Sequence, residues 1–408
     1  MNIQKTSKVS YIVFGVSLVI VLASLSSVFF PSLLISTIID PVSKVDPFVT
    51  GALFLPVLIS NLIILAFGIL YYTKKLPNPI KNSFNFLVNF EVSKNVALFV
   101  VVSIIFGYIG TAMIDSANDE SKQLGDFDGV LLAVENWPFG EEGIPSLKVL
   151  HAKNFLLSAS LFLFNNIKII PFLGSVSLLI LTYFFTKELA KKRFAGIVAM
   201  LIVFQSYIFL RFDTVATYSN FWTLFYLLSL YLILKKWQLS PISYIASIFS
   251  KPLTAVFLPM TFFFIYRSEI TRKKKIQVTI AYVIIVAVAV AGIFLTNVDL
   301  GGGVTSGKIN FDIYNFVAGL STWGYQLRFD TLFLMLILPV TVGLFLVSRK
   351  GLHQADSALV LIAGIILAMP LLAALTTVNL HPYRYVPLLV FFAIGVGTLL
   401  SRKITQQE

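Results

Sequence analysis

The sequence contains no cysteine, only three histidines, and 12% charged residues among its 408 positions. Without cysteine, disulfides and thiolate metal sites are excluded, and the redox compartment leaves no mark on the chain. His151, His353 and His381 are scattered, so no His-rich metal site is visible. No Asn-X-Ser/Thr sequon occurs, so the chain carries no N-glycan acceptor. Soluble domains carry about 25% charged residues, roughly twice what is found here. Disorder, a nucleic-acid-binding domain and a cytosolic enzyme are excluded on that ground.

What the chain has instead is apolar length. Hydrophobic residues make up 57% of it, with 38 Phe and 16 Tyr, and mean hydropathy is +0.88. A helix crosses about 30 Å of hydrocarbon with roughly 20 apolar residues. Runs near that length occur at Tyr11–Ile39, Phe48–Tyr72, Val96–Ile114, Ile169–Thr186 and Phe194–Leu210. Five more lie at Ser219–Leu234, Ile276–Thr296, Thr331–Val347, Ser357–Val378 and Val386–Leu400. The expectation is an all-α, polytopic membrane protein with ten spans, the first a signal-anchor rather than a cleaved signal peptide. Pro241–Tyr266 is apolar enough to span but is interrupted by Lys251-Pro252. It is expected to form a re-entrant pair of short helices.

Charge placement supports that topology. With both termini cytoplasmic, the inner segments hold 21 of the 31 bases and five of the 19 acids, while the outer segments hold nine bases and 14 acids. This is the bias of the positive-inside rule. The net charge of +12 is therefore topogenic and does not point to nucleic acid. Three stretches follow: an N-terminal hairpin and loop over 1–95, a membrane module over 96–266 with an outer loop at 115–168, and a C-terminal module over 267–408 with an outer loop at 297–330. Long loops tend to carry function. No internal repeat is evident.

The outer loop is acidic at its start, with Asp115, Asp119 and Glu120 followed by Asp126 and Asp128. Val130–Val134 continues as a short amphipathic helix expected on the membrane surface, with Asp128 near its N-cap. Solvated loop acids and an N-cap are the structural alternative for these residues. A carboxylate held at the interface is also where a general base for a lipid-linked substrate must stand. Asp126 and Asp128 could share a divalent cation through hard oxygen ligands, although Asp-X-Asp is a common triplet. Lys251 lies at the apex of the interrupted segment. An intramembrane cation beside a helix start at Pro252 suits a phosphate, with snorkelling or an ion pair as the structural alternative. His381-Pro382-Tyr383-Arg384-Tyr385 could be an interface anchor, and Arg211 with Asp213 a local ion pair. Gly301-Gly302-Gly303 with Gly307 suits a flexible lid better than a nucleotide loop.

Taken in order, several segments have a familiar arrangement: Thr186–Ala195, Leu210-Arg211-Phe212-Asp213, Ser219-Asn220-Phe221-Trp222-Thr223, Ser250-Lys251-Pro252 with Pro259, and His381–Tyr385. From about Val96 onward this order resembles the GT-C superfamily of membrane glycosyltransferases, which includes protein O-mannosyltransferases and aminoarabinose transferases. The resemblance implies an inverting transferase using a polyprenyl- or dolichyl-phosphate sugar in the plasma membrane, with its active site on the outer face. The acceptor would be a protein, lipid or glycan. It also implies a carboxylate base in the first outer loop, Asp126 or Asp128 with Asp119 and Glu120 as the second pair. Lys251 and Arg384, flanked by His381, Tyr383, Arg211 and Asp213, would bind the donor. Asn220 stands where relatives often place an acid. The alternatives are a transporter or flippase for a lipid-linked or small polar substrate, and a non-catalytic membrane subunit.

Overall fold

A computed structural model describes residues 8–34, 46–116, 120, 124–137, 152–296, 311–375 and 381–401. Asp119, His151 and the glycines at 301–303 and 307 lie outside the described residues. Among the described residues every regular element is a helix. The first half holds α1 (Lys8–Phe29), α2 (Pro31–Leu34), α3 (Phe54–Tyr72), α4 (Asn78–Asn89), α5 (Lys94–Ser116), α6 (Phe127–Glu135), α7 (Ala152–Phe164), α8 (Ile169–Ala190) and α9 (Arg193–Phe204). The second half holds α10 (Tyr207–Phe212), α11 (Phe221–Lys235), α12 (Ser240–Ser250), α13 (Leu258–Arg267), α14 (Arg272–Thr296), α15 (Ile313–Leu327), α16 (Thr331–Arg349), α17 (Gln354–Leu375) and α18 (Val386–Leu399).

Among the described residues, seven segments are long and apolar enough to cross a membrane: Lys8–Phe29, Phe54–Tyr71, Lys94–Met113, Ile169–Ala190, Thr331–Arg349, Gln354–Leu375 and Pro382–Leu399. The protein is thus a multi-pass, all-α membrane protein. Each of the seven coincides with one of the ten expected runs. Of the remaining three runs, one lies whole within a long helix, one forms a helix of 15 residues and one is broken. Ile276–Thr296 falls in α14, a helix of 25 residues, and Ser219–Leu234 shortens to the 15 residues of α11. Phe194–Leu210 is not continuous, because α9 stops at Phe204 and α10 starts at Tyr207. The cause is remote: the Asp330 carboxylate accepts the Ile208 N–H at 3.3 Å and so caps a fresh helix start. Pro31 likewise ends α1 well before Ile39, because it offers no N–H to continue the ladder.

The segment around Lys251 breaks where the sequence indicates. Ser250 ends α12, Lys251 is extended, and Pro252 opens a 3-10 stretch to Phe257 before α13. The sequence leads one to expect short amphipathic helices in the outer loop, where the 13-residue α7 lies, but not α4 in the basic loop. At 1.5 Å per residue α7 is about 20 Å long, too short to span.

The chain forms two compact units. One comprises Met1–Ala97, Tyr183–Ile208 and Lys308–Glu408; the other comprises Leu98–Thr182 and Phe209–Gly307. In the first, α1 packs against α15, α16 and α17, and α9 against α18. Ser10 on α1 donates to the buried Asp356 carboxylate at 2.8 Å and lies 3.1 Å from the Ser348 hydroxyl. In the second unit, one face of α12 carries Ser240, Ser243 and Ser247. Their hydroxyls donate to the Ser229, Phe225 and Trp222 carbonyls of α11 at 2.8, 2.8 and 2.6 Å. Small polar residues at i, i+3 and i+7 bring the two backbones close, a recurrent way to join helices in lipid.

Gly397 of α18 makes the same kind of approach to α9. A Cβ there would meet the Ala195 carbonyl oxygen at 2.8 Å, and backbone cannot move aside cheaply. Gly397→Ala is expected to cost about 1–3 kcal/mol, seen as a lower thermal midpoint in detergent. Gly15→Ala, with nothing within 4 Å of its Cβ, should hold or raise that midpoint, because alanine favours the helix.

Candidate functional site

The segment between α10 and α11, residues 213–220, has no regular backbone ladder and is held by side chains from elsewhere in its unit. Glu120 is its main support. Its carboxylate, 5% exposed, accepts the N–H of Ala216 at 3.0 Å and the N–H and hydroxyl of Thr217 at 3.3 and 3.2 Å. The Lys168 ammonium stands 3.8 Å away. Lys153, at the start of α7, donates to the Thr217 carbonyl at 3.1 Å. Ser175 on α8 donates to the Asp213 carbonyl at 2.7 Å, and the Asn220 amide donates to the Phe212 carbonyl at 3.3 Å. Next in line, the Tyr218 hydroxyl donates to Asp126 at 2.8 Å.

An apolar core supports this shelf from beneath. Val134 of α6, Leu157 of α7, Ile167, Ala216 and Phe221 are buried together, with Phe127, Val130 and Leu131 packed against them. The spacing 127, 130, 131, 134 is one face of a helix. That face is covered by the protein itself, so α6 is not simply laid on the membrane surface as its amphipathic pattern suggests. The Ser158 hydroxyl, bonded to the Val134 carbonyl at 2.9 Å, completes the attachment.

The acids singled out in the sequence therefore separate. Glu120 is buried and its carboxylate is taken up by backbone. Asp126 and Asp128 are exposed at the start of α6. Asp126, rather than Asp128, occupies the N-cap position, and it makes no side-chain cap bond there. Its carboxylate turns to Tyr218 instead. Burial pulls the Lys153 amine from 10.5 down to about 8, although Asp126 and Glu120 draw it the other way. Among the described residues no three His, Asp or Glu side chains gather as metal ligands.

Directly after Tyr218 comes a second polar group. Asn220 precedes α11, and Ser219, Asn220, Trp222 and Thr223 are all buried. Among the described residues, the Ser219 hydroxyl, the Asn220 amide oxygen, the Trp222 indole N–H and the Thr223 hydroxyl have no hydrogen-bond partner. Four such atoms around one helical turn call for an explanation, since buried polar groups are normally satisfied. Water or a polar ligand would supply it. The Lys251 ammonium lies 5.4 Å from the centre of the Trp222 ring, within cation–π range.

The other predicted residues fall as follows. Arg211 is exposed at the end of α10, and Asp213 is 1% exposed. His381, Tyr383 and Arg384 belong to the first unit. There the His381 and Tyr383 rings stack with centroids 6.0 Å apart. The Arg384 guanidinium lies 5.7 Å from the Tyr383 ring, and its Nε donates to the Tyr383 hydroxyl at 3.4 Å.

Lys153, Lys168, Thr217, Tyr218 and Trp222 join the site without having been singled out for it by the sequence. The two lysines bracket the apolar run of α7, a placement that looks like an ordinary interface anchor. Tyr218 meets Asp126 across 92 residues of chain, and no local pattern encodes that pairing.

Two outcomes test the shelf. Glu120→Ala should lower stability by about 1.5–3 kcal/mol through the loss of hydrogen bonds to a charged group, with faster amide exchange at Ala216 and Thr217. For Lys153, the folded amine near 8 lies below the unfolded 10.5. The unfolded chain holds the extra proton between those values, so stability rises as pH increases from about 8 to about 10.5. Lys153→Met should flatten that rise in a thermal-midpoint profile.

No family model, curated protein or solved structure matches the chain.

Proposed function

We propose that the protein is an integral-membrane glycosyltransferase that moves a sugar from a polyprenyl- or dolichyl-phosphate donor to an acceptor on the outer face. The observation that supports this reading most directly is the 213–220 segment. Its Tyr218 donates to the exposed Asp126. Directly after Tyr218, Ser219, Asn220, Trp222 and Thr223 carry four buried polar atoms without a partner among the described residues, and the Lys251 ammonium lies 5.4 Å from the Trp222 ring. A base and a cation served by one fixed segment suit displacement at an anomeric carbon.

In this reading Asp126 takes the proton from an acceptor hydroxyl, whose oxygen attacks the anomeric carbon from the face opposite the lipid phosphate. The bond from that carbon to the phosphate oxygen breaks, and the configuration inverts. Lys251 meets the negative charge that develops on the departing lipid phosphate. Ser219, Asn220 and Thr223 offer hydrogen bonds to sugar hydroxyls, and Trp222 offers both an aromatic face and an N–H. Glu120 is read as scaffold, since it is buried and accepts three hydrogen bonds from the segment, which leaves Asp126 better placed to act as the base. Asp128 remains the second carboxylate, and a divalent cation shared by Asp126 and Asp128 is compatible with the pair. The resemblance adds Arg384, with Tyr383 and His381, as further donor contacts. The charge bias of the sequence supports a reading in which this chemistry is on the outer face and both termini are cytoplasmic.

The experiment is transfer or donor hydrolysis by the full chain in nanodiscs, using a panel of radiolabelled polyprenyl-phosphate hexoses and pentoses. Asp126→Asn should reduce turnover by about 10²–10⁴-fold, the usual worth of a general base, with an unchanged thermal midpoint. Lys251→Ala should weaken binding of polyprenyl phosphate at least about tenfold. Full turnover in folded Asp126→Asn and Asp128→Asn variants would sink the assignment of the base. If the panel gives no turnover but the protein binds polyprenyl phosphate through Lys251, the transporter or subunit alternative gains.

A further inference from the structure

The loop between α3 and α5 holds a helix that the transferase reading does not use. α4 spans Asn78–Asn89, contains no buried residue, and sorts its side chains sharply. Ile80, Phe84, Leu87 and Val88 follow the spacing of one helical face, and Asn78, Asn82, Asn85 and Asn89 follow that of another. Phe84 and Leu87 are 39% and 46% exposed. Phe86, on the asparagine side, packs its ring against Phe90 with centroids 5.3 Å apart, and Phe90 packs against Phe194 at 5.0 Å.

Connectivity limits what can cover the apolar face. The span of α3 ends at Tyr72 and that of α5 begins at Lys94. Residues 73–77 and 90–93 are thus the only links between α4 and two membrane-crossing helices. Links of that length reach no more than about 18 and 14 Å when fully extended. A helix about 18 Å long, tethered so closely at both ends, stays at the membrane face.

The contacts of α4 hold it there. The Tyr71 hydroxyl donates to Asn85 at 3.0 Å, and the Tyr71 ring packs on Phe84 with centroids 5.5 Å apart. At the other end the Lys192 ammonium donates to the Leu87 and Val88 carbonyls at 3.3 and 2.6 Å. The charges point the same way. Lys74, Lys75, Lys81 and Lys94 stand in and beside this loop with a single acid, Glu91. Glu91 is engaged by Arg193, whose N–H it accepts at 3.1 Å and whose guanidinium lies 3.8 Å away.

We infer that α4 is an interfacial helix that seats Ile80, Phe84 and Leu87 in the bilayer surface while the surrounding lysines bind anionic phospholipid headgroups. Apolar contact and attraction to anionic lipid act together in such helices. The inference stands apart from the transferase reading, because α4 supplies no residue to that site.

The native chain has no cysteine, so a spin label can be placed at one position at a time in the full-length protein. Leu87→Cys and Asn82→Cys would be compared in nanodiscs of phosphatidylcholine alone and with phosphatidylglycerol added. The label at 87 should be several-fold more accessible to oxygen than to a water-soluble nickel chelate, and the label at 82 the reverse. Phosphatidylglycerol should deepen the label at 87. The combined Lys74→Gln, Lys75→Gln and Lys81→Gln variant should lose that response while keeping the parent's thermal midpoint. Equal water access at both positions overturns the inference. So does a label at 87 shielded from both reagents, which would indicate a protein partner or a second copy. Insertion that ignores phosphatidylglycerol overturns the headgroup part.

Discussion

Backbone that leaves the helix in or beside a hydrocarbon layer has no water to satisfy it, so side chains from elsewhere must do so. The irregular stretches of this protein follow from that constraint. The gap between α9 and α10 is closed by Asp330, which accepts the Ile208 N–H. The 213–220 segment is held by Glu120 at two backbone N–H groups and by Lys153, Ser175 and Asn220 at carbonyls. After Lys251 the Tyr244 hydroxyl serves the Thr254 and Ala255 carbonyls at 3.0 and 3.3 Å. Each break thus has polar side chains assigned to it, and most of those residues are accounted for by structure before any chemistry is considered.

This division of labour separates the carboxylates. Glu120, Asp330 and Asp356 are buried at 5%, 6% and 0% exposure, and each accepts hydrogen bonds from the chain. Asp330 shows the balance: burial pushes its carboxyl above the usual range, while hydrogen bonds from Ser206, Ile208 and Tyr207 hold it down. Asp126 and Asp128 are exposed and do not hold backbone in this way. Proximity in sequence did not distinguish Glu120 from Asp126, which lie six residues apart. Their hydrogen-bond partners do.

The architecture was legible to the extent that it depends on composition and on breakers. Most of the apolar runs became helices of spanning length, because an uninterrupted apolar run has one stable form in lipid. The break at Lys251 was legible because proline disfavours helix in the residue before it. The break at Gln205 and Ser206 was not, since its cause is Asp330, more than a hundred residues away. α4 was missed because its period is masked by asparagines and lysines in a loop marked only by its charge. At the candidate site the acids stood out individually, but the shelf they meet did not. Thr217, Tyr218 and Trp222 have no unusual sequence, and their importance comes from what approaches them.

The consequence for mechanism follows from the same geometry. A general base needs a lone pair free to take a proton and a position open to the acceptor. Glu120 fails the second condition, because it is buried with its oxygens turned to Ala216 and Thr217. Asp126 is exposed and accepts a bond from Tyr218, a hydroxyl that can turn to other acceptors. If the proposed transferase chemistry operates, Glu120 sets where Tyr218 stands and Tyr218 sets where Asp126 points. Loss of Glu120 would then reach the chemistry only through displacement of that tyrosine. Glu120→Gln, whose amide oxygen can still accept, should keep more activity than Glu120→Ala, whereas Asp126→Asn should fail although it is the gentler substitution. That contrast distinguishes a positioning carboxylate from a reacting one.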